Sequence, residues 1–271
     1  MSLNSKKIGF IGCGKMGLAL IKGLLASGLV QDGEVLGYDT AESDWRETLI
    51  SLGARPMGSN PELVAQSDIV VLAVKPQNVA QVFPEIKEQS AGRLFISIVA
   101  GLPSKTIERH LPKARVVRVM PNTPCLVGQG ASAIAKGESA SNEDMALAQT
   151  LMSSVGKVFR TVEKDMDAIT GMSGTGPAYV FLFLEGLIEA GVRLGLSWDL
   201  ARNLAFQTVK GAAILAQESK AHIAQLRNEV TSPGGTSAAG LQVLEMAGFK
   251  AIISQAVEAA TKRAEELGRS L

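Results

Sequence analysis

The chain has 271 residues, 46% of them hydrophobic, which is enough for one large domain or two modest ones. Its net charge of +1 gives no electrostatic argument for a nucleic-acid partner or an anionic membrane surface. Cys13 and Cys125 are too few and too far apart to indicate a metal site or a disulfide framework. No signal peptide and no uninterrupted apolar stretch of about 20 residues is recognisable, so the sequence predicts a cytoplasmic protein without a membrane span.

The first predicted elements are a strand at Ile8–Ile11, a glycine-rich turn and a helix. The glycines have G-x-G-x-x-G spacing, which in a dinucleotide site allows a tight turn, close approach of the pyrophosphate, and helix–strand packing. Free N–H groups at the helix start then face the phosphates. The predicted cofactor contacts here are Gly12, Cys13, Gly14, Lys15, Met16 and Gly17. A glycine-rich turn without a ligand is the alternative.

The second predicted strand, Val35–Tyr38, is followed by the carboxylate of Asp39. Asp39 lies roughly 20 residues after the last glycine of the turn, where a ribose-binding acid belongs. Such a carboxylate accepts hydrogen bonds from both ribose hydroxyls and repels a 2′-phosphate. The segment from Tyr38 to Asp44 has three acids and no base before Arg46, so the sequence favours NADH. NADPH stays open, because Arg46 could reach a phosphate.

Strand and helix patterns continue to alternate in the first half of the chain. Strands are predicted at Ile69–Val74, Leu94–Val99 and Val116–Met120, and Gly130–Lys136 and Lys157–Thr161 are further candidates. This alternation predicts an α/β fold, namely a Rossmann domain with a doubly wound, mostly parallel sheet over residues 1–164.

Small residues follow the predicted strands at the edge where α/β sheets bind ligands. The nicotinamide ring is expected to lie there. The predicted contacts are Ala73, Val74, Lys75, Pro76, Ala100 and Gly101. For Lys75 the alternative is a solvent-exposed lysine at a strand end without a cofactor contact. Asn60, followed by Pro61, is predicted to be a helix N-cap with cofactor contact as an added role.

The pattern becomes helical beyond about residue 165, which predicts an all-α substrate-binding and dimerisation domain over residues 165–271. Glycines at 186, 191, 195 and 211 lie within or beside apolar helices, where each costs about 1 kcal/mol relative to alanine. Close helix–helix contact explains that cost. The sequence favours a dimer over a self-contained helical bundle.

A glycine-rich segment at Val230–Ala239 precedes a predicted helix of this second domain. Its N–H groups at the helix start suit a carboxylate, and nearby hydroxyls add donors. The residues concerned are Ser232, Gly234, Gly235, Thr236 and Ser237. For Ser232 and Thr236, helix capping alone is the alternative.

Five segments, in order along the whole chain, resemble pyrroline-5-carboxylate reductases. They are Gly12–Gly17, Ala73–Gln77, Val117–Pro124, Ser173–Tyr179 and Val230–Thr236. The resemblance implies a Rossmann domain followed by a helical dimerisation domain, in interlocked homodimers and often decamers of five dimers. It implies reduction of 1-pyrroline-5-carboxylate to L-proline with NADH or NADPH, the last step of proline biosynthesis.

The resemblance also implies a role for Ser237. The family commonly has two threonines after Ser-Pro-Gly-Gly, whereas this chain has Thr236 and Ser237. The second hydroxyl is thought to hydrogen-bond the ring nitrogen of the substrate. Ser237 keeps that hydroxyl without the methyl group that restricts its rotamer. It is therefore the candidate catalytic residue within the substrate-binding set.

Three alternatives stay open at this point. A β-hydroxyacid dehydrogenase places a catalytic lysine on the long first helix of the second domain. An imine reductase places an aspartate or a tyrosine there. Here the region Ser173–Tyr179 has no lysine, and only Tyr179 keeps an imine reductase in consideration. A non-catalytic dinucleotide sensor is the third. Neither His110 nor His222 is predicted to be catalytic.

Overall fold

The computed structural model describes residue 3, residues 5–42 and residues 44–269. These residues form two compact units. The first contains the described residues up to Thr175 together with those from Glu258 onward, and the second is Gly176–Val257. The domain boundary between residues 164 and 165 stays a prediction.

The first unit is built on an eight-stranded sheet with the order β3-β2-β1-β4-β5-β6-β7-β8. The strands β1 to β8 are Ile8–Ile11, Val35–Tyr38, Arg55–Pro56, Ile69–Leu72, Leu94–Ser97, Arg115–Met120, Gly130–Lys136 and Gly156–Thr161. All neighbours are parallel except β6 and β7, which are antiparallel. The first six strands have the dinucleotide-binding order 3-2-1-4-5-6. The predicted Rossmann fold is confirmed.

Helices α1 to α7 are Lys15–Ala26, Trp45–Ser51, Asn60–Gln66, Val79–Ile86, Ser104–His110, Asn142–Ser153 and Met166–Ile169. Helices α8 to α12 are Gly176–Arg193, Trp198–Glu218, Ile223–Glu229, Thr236–Met246 and Phe249–Arg269. Helix α6 begins with a capping box, in which Ser141 and Asp144 each accept a backbone N–H of the other.

The structure corrects the predicted start of α3. Ser59, not Asn60, is the N-cap, because its hydroxyl accepts the N–H of Glu62 at 3.3 Å. Asn60 is the first helical residue and Pro61 the second. Proline at the second position loses no hydrogen bond, since the first four N–H groups of a helix have no intrahelical partner. The shift by one residue turns the Asn60 side chain from a capping group into a lining group.

Two large apolar clusters, one on each face of the sheet, form most of the core of the first unit, and a third, small cluster contains Ala133, Ala135 and Met166. Strand β4 supplies both large clusters: Ile69 and Val71 belong to one cluster, and Val70 and Leu72 belong to the other. Alternate residues of a strand point to opposite faces, so a continuous apolar run is what a strand covered on both sides requires. The core fixes the carboxyl ends of the strands, where the cleft described below lies.

The second unit has a much smaller buried core. Ile188 of α8 packs against Ala201 and Ala205 of α9, with Leu184 partly buried beside them. Helices α8 and α9 approach closely at Gly191, where an added Cβ would lie 3.1 Å from the Cβ of Ala201. Many large apolar side chains of this unit are exposed.

The helical segment Glu163–Arg193 is long and apolar enough to cross a membrane by length and composition. This match rests on length and composition alone, and the absence of a membrane span stays a prediction. An apolar helix with an exposed face is equally what a protein partner would cover.

Candidate dinucleotide and substrate sites

The glycine turn between β1 and α1 has one open and two crowded positions. Gly12 has φ +101°, and a Cβ there would lie 2.6 Å from the carbonyl oxygen of Ala73. A Cβ on Gly17 would overlap the carbonyl oxygen of Gly12, whereas nothing lies within 4 Å of the Gly14 position. Gly14 is the N-cap of α1, and neither a capping side chain nor an acid occupies the first turn. The arrangement leaves room and N–H donors for an anion.

A cavity of about 490 Å³ extends from this turn over the ends of β1, β2 and β4. Seven of the predicted cofactor contacts line it: Gly12, Gly14, Asp39, Asn60, Ala73, Val74 and Lys75. Lining residues that sequence reasoning missed include Tyr38, Thr40, Ala41, Asn78 and Glu85. Tyr38, Thr40 and Ala41 lie at or directly after the end of β2, which was the available signal. Glu85 lies within α4, where the sequence contains no such signal.

Asp39 connects the glycine turn to the end of β2. Its Oδ2 accepts the N–H of Cys13 at 2.7 Å, and its Oδ1 accepts the N–H of Ala41 at 2.8 Å. Each carboxylate oxygen keeps a further lone pair for a ligand hydroxyl. Among the described residues, no basic side chain forms an ion pair with Asp39. Ser43, in the same acidic segment, lies outside the described residues.

Cys13 was a predicted cofactor contact, but its thiol side chain is buried in the apolar core and lines neither cavity. Burial, reinforced by the negative charge of Asp39, raises the pKa of this thiol to about 12. It is therefore neutral at ordinary pH and acts as a small packing group, while its backbone N–H holds Asp39.

Asn60 and Glu85 form the polar far end of the cavity. Asn60 is only 4% exposed, and its Nδ2 donates to Oε2 of Glu85 at 2.8 Å. Arg46 is held elsewhere: its guanidinium lies 4.4 Å from the ring centroid of Trp45 and donates to the Met57 carbonyl at 3.4 Å. This end of the cavity therefore offers acidic and amide groups to a ligand.

A second cavity of about 390 Å³ continues along the same sheet edge. It shares Gly14, Ala73, Val74 and Lys75 with the first cavity, so the two form one cleft. Its other predicted lining residues are Lys15, Met16, Pro76 and Ala100. Gly101 lies behind Ala100 and lines neither cavity, so its role as a cofactor contact stays a prediction.

The far wall of this second cavity was not among the predicted contacts. It contains Ile98, Met120, Pro121, Asn122, Thr123 and Gly174. Asn122 holds this wall together, since its Oδ1 accepts the N–H of Ala131 at 2.9 Å and its Nδ2 donates to the Ser173 carbonyl at 3.3 Å. The run Met120–Pro124 after β6 was the available signal, because it follows a strand at the ligand edge.

A π-helical turn at Thr170–Gly174 presents Gly174 to the cavity. The N–H of Thr175 donates to the Thr170 carbonyl at 2.9 Å, five residues back. Such turns frequently occur at functional sites. The preceding helical residues are anchored by the buried Arg118 of β6, which lies 2.9 Å from both Glu163 and Asp167.

The predicted substrate segment surrounds the start of α11. Gly234 has φ +68°, and Gly235 is the N-cap without a capping side chain or an acid in the first turn. Within the described part of the chain, the hydroxyls of Ser232, Thr236 and Ser237 form no hydrogen bond. Backbone N–H groups and hydroxyls are therefore available together, as an anion site requires.

Tyr179 and the two histidines have structural partners. The Tyr179 hydroxyl donates to the carbonyl of Ala256 at 3.3 Å, which weakens its case as the acid of an imine reductase. His222 is the N-cap of α10, with Nδ1 accepting the N–H of Ala224 at 3.1 Å. The ring of His110 stacks on Phe83 at the end of α5.

The first unit combines a Rossmann sheet with an open glycine turn, an acid at the end of β2 and one cleft along the strand ends. These features define a dinucleotide-dependent oxidoreductase with a helical second domain. Residues 163–267 match the family described as "Pyrroline-5-carboxylate reductase dimerisation". Residues 7–101 match "NADP oxidoreductase coenzyme F420-dependent".

The chain belongs to the pyrroline-5-carboxylate reductase family. It is 40% identical to the pyrroline-5-carboxylate reductase of Arabidopsis thaliana over 98% of this chain and 97% of the relative. It is 41% identical to that of Methanosarcina acetivorans over 98% and 100% of the two chains. The crystal structure of Plasmodium falciparum pyrroline carboxylate reductase with NADP bound superposes with a TM-score of 0.90 at 37% identity, covering 97% of this chain and 98% of that one.

Proposed function

We propose that this protein reduces 1-pyrroline-5-carboxylate to L-proline with a reduced nicotinamide cofactor. The observation that carries the proposal is whole-chain similarity to reductases of that name, at about 40% identity. The cleft and the α11 segment supply the two kinds of binding group that this reaction needs.

The residues of the cleft suit a nicotinamide dinucleotide, which when bound supplies the hydride. Gly14 leaves room for the pyrophosphate, and the free N–H groups of α1 bind it. Asp39 accepts ribose hydroxyls. Ala73 and Ala100 are small enough to let a flat ring lie against the strand ends. These residues bind and orient the cofactor, which is the main contribution that a protein makes to hydride transfer.

The α11 segment suits a cyclic imine that carries a carboxylate. Its N–H groups and the hydroxyls of Ser232 and Thr236 bind the carboxylate. The Ser237 hydroxyl hydrogen-bonds the ring nitrogen and orients the imine. A protonated ring nitrogen makes C5 electrophilic, so no separate acid–base set of side chains is required.

The deciding experiment is oxidation of NADH and NADPH by the purified protein with 1-pyrroline-5-carboxylate, with L-proline measured as product. The control substrate is 1-pyrroline, which lacks the carboxylate and should react poorly. Equal rates with both substrates would indicate a general imine reductase. Tight NADH binding without turnover would indicate a dinucleotide sensor.

The preference for NADH over NADPH is a further part of the proposal. It is supported by Asp39, which has no basic ion-pair partner among the described residues, by Glu85 in the same cavity, and by the engagement of Arg46 with Trp45. The measurement is kcat/KM for both cofactors before and after Asp39→Ser. The control, Asp44→Ser, removes the same charge five positions along. Preference for NADPH in the unmodified enzyme, or an unchanged ratio in Asp39→Ser, would contradict this assignment.

The proposed assembly is a homodimer through the helical domain, with a decamer of five dimers as the larger form. The match to a dimerisation family and the exposed apolar side chains of α8 and α9 support it. Light scattering over a range of concentrations distinguishes monomer, dimer and decamer. A fully active monomer would rule the proposal out.

A further inference from the structure

The turn between β5 and α5 has two functional faces. It comprises Val99 to Leu102 and is closed by the N–H of Leu102, which donates to the Val99 carbonyl at 3.4 Å. Ala100 lines the second cavity of the cleft. Gly101 follows with φ +74°, a value that favours glycine at the third position of such a turn. Ala100 thus forms part of the cavity wall, and its neighbour Gly101 makes a second contact.

That second contact is with the end of α12, in the first compact unit. A Cβ on Gly101 would lie 3.0 Å from the Ala264 carbonyl oxygen and 3.2 Å from the Gly268 nitrogen. Conversely, a Cβ on Gly268 would overlap the Gly101 carbonyl oxygen. The backbones of the turn and the helix therefore touch, with two glycines facing each other. The inward face of the helix end is marked by Ala264, which is almost fully buried.

The turn is also held at its other end. The N–H of Ser104, the first residue of α5, donates to Oε1 of Glu163 at 3.2 Å. The same Glu163 oxygen accepts from Arg118 of β6 at 2.9 Å. Val99 and Leu102, at the two ends of the turn, are buried in the apolar core of the first unit. The position of Ala100 is therefore fixed by the core and by the backbone contact between Gly101 and α12.

We propose that the last two turns of α12 position the wall that Ala100 forms, so that Gly101 and Gly268 are positioning residues for the nicotinamide ring. The inference rests on the proposed function in taking the ligand of the second cavity to be the nicotinamide. A turn displaced by a few tenths of an ångström would change the depth of the ring in the cleft. The pyrophosphate and adenosine contacts, made by the glycine turn and Asp39, would remain in place.

Gly92 provides a matched control for Gly101. It has the same φ of +74°, yet nothing lies within 4 Å of a Cβ built there. Gly101→Ala and Gly92→Ala therefore carry the same backbone cost, and only the first disturbs a packed contact. Gly268→Ala is the second variant. It lies in a helix, where alanine is intrinsically preferred, so any loss must come from the contact with Gly101.

The experiment measures binding of ADP-ribose, binding of NADH, and kcat for the unmodified enzyme and the three variants. Gly101→Ala and Gly268→Ala should bind ADP-ribose normally, bind NADH more weakly, and lose about tenfold in kcat. Gly92→Ala should bind ADP-ribose and NADH normally and keep the kcat of the unmodified enzyme. If Gly101→Ala matches Gly92→Ala, or if ADP-ribose and NADH weaken equally, the positioning role is wrong. If Gly101→Ala does not fold, Gly268→Ala with unchanged NADH binding and kcat would refute it alone.

Failure of the proposed function gives a different result. The unmodified enzyme would then show no turnover of 1-pyrroline-5-carboxylate. The comparison of NADH with ADP-ribose in Gly101→Ala and Gly268→Ala needs no substrate, so it would still test the positioning of the ring.

Discussion

The two compact units bury apolar side chains in opposite ways. The first unit encloses two large clusters, one on each face of its sheet, in which Phe10 and Phe95 are fully buried. Within the described part of the second unit, only Ile188, Ala201 and Ala205 are buried apolar residues. Exposed apolar area of that extent on helices marks a surface for association. The first unit thus buries most of its large apolar side chains within itself, whereas the second leaves most of its large apolar side chains exposed.

Leu182→Glu and Ile50→Glu test this contrast most strongly. Leu182 of α8 is 68% exposed and Ile50 of α2 is 64% exposed, so the chain alone predicts similar effects. If the helical unit associates, Leu182→Glu buries a charge at the interface, which should dissociate the protein and abolish the dependence of Tm on concentration. Ile50→Glu should leave assembly intact. If sedimentation velocity gives the same oligomeric state for both variants, the contrast between the two units is wrong.

Gly12→Ala tests how tightly the first unit is packed at its ligand edge. The substitution adds a Cβ at 2.6 Å from the Ala73 carbonyl at a φ of +101°. The turn must then shift, and NADH affinity should fall by about two orders of magnitude, roughly 3 kcal/mol. Gly33→Ala is the control, with φ +79° and an open Cβ position, and should change only stability. Fluorescence titration of NADH and thermal unfolding separate the two effects.

Ser237→Ala should have an intermediate effect, confined to turnover. Loss of one positioned hydrogen bond costs about 0.5–1.5 kcal/mol, or about 2- to 13-fold in rate. NADH binding should not change, because the proposed cofactor contacts lie in the first unit. Ser237→Thr is the matched control, since it restores the hydroxyl and adds the methyl group that restricts its rotamer. An unchanged kcat in Ser237→Ala would remove this residue from the mechanism.

The smallest expected effect concerns Cys13. The pKa of this thiol is raised to about 12 from an ordinary value of 9.0, so the folded state keeps its proton where the unfolded state loses it. The contribution to stability is therefore complete below pH 9 and is lost as pH rises toward 12. Relative to Cys13→Ala, the unmodified protein should lose about 1 kcal/mol of unfolding free energy between pH 9 and 10. If the unfolding free energies of the two proteins change in parallel with pH, the thiol does not titrate as expected.

Local patterns predicted much of the first unit. The bounds of β1, β2 and β7 agree with the sequence prediction residue for residue, since turn residues or charged residues border each run. The direction of β7 could not be predicted, because an alternating pattern is the same in parallel and antiparallel pairs. Strand β3 has two residues, too few for any periodicity.

The predicted part of the cleft lies mostly in the glycine turn or directly after a strand at the ligand edge of the sheet. Lys15, Asp39, Ala73 and Ala100 were found in this way. Asn122 and Gly174 lie more than 100 residues from the turn, and the hydrogen bond of Asn122 to Ser173 joins segments that no local pattern relates. The exchange of Ser59 and Asn60 as N-cap has a simpler cause, because both residue types are good caps and proline is tolerated just after either one.

The contact between Gly101 and the end of α12 also sets an order for biosynthesis. The turn at Val99–Leu102 is synthesised about 160 residues before Ala264 and Gly268. A nascent chain can therefore form the β1–β4 sheet and its glycine turn long before the helix that completes the ring-binding wall exists. Chains that stall or are cut before Ala264 would carry a finished adenosine half and an unfinished nicotinamide half. Such fragments would compete for cofactor without consuming it.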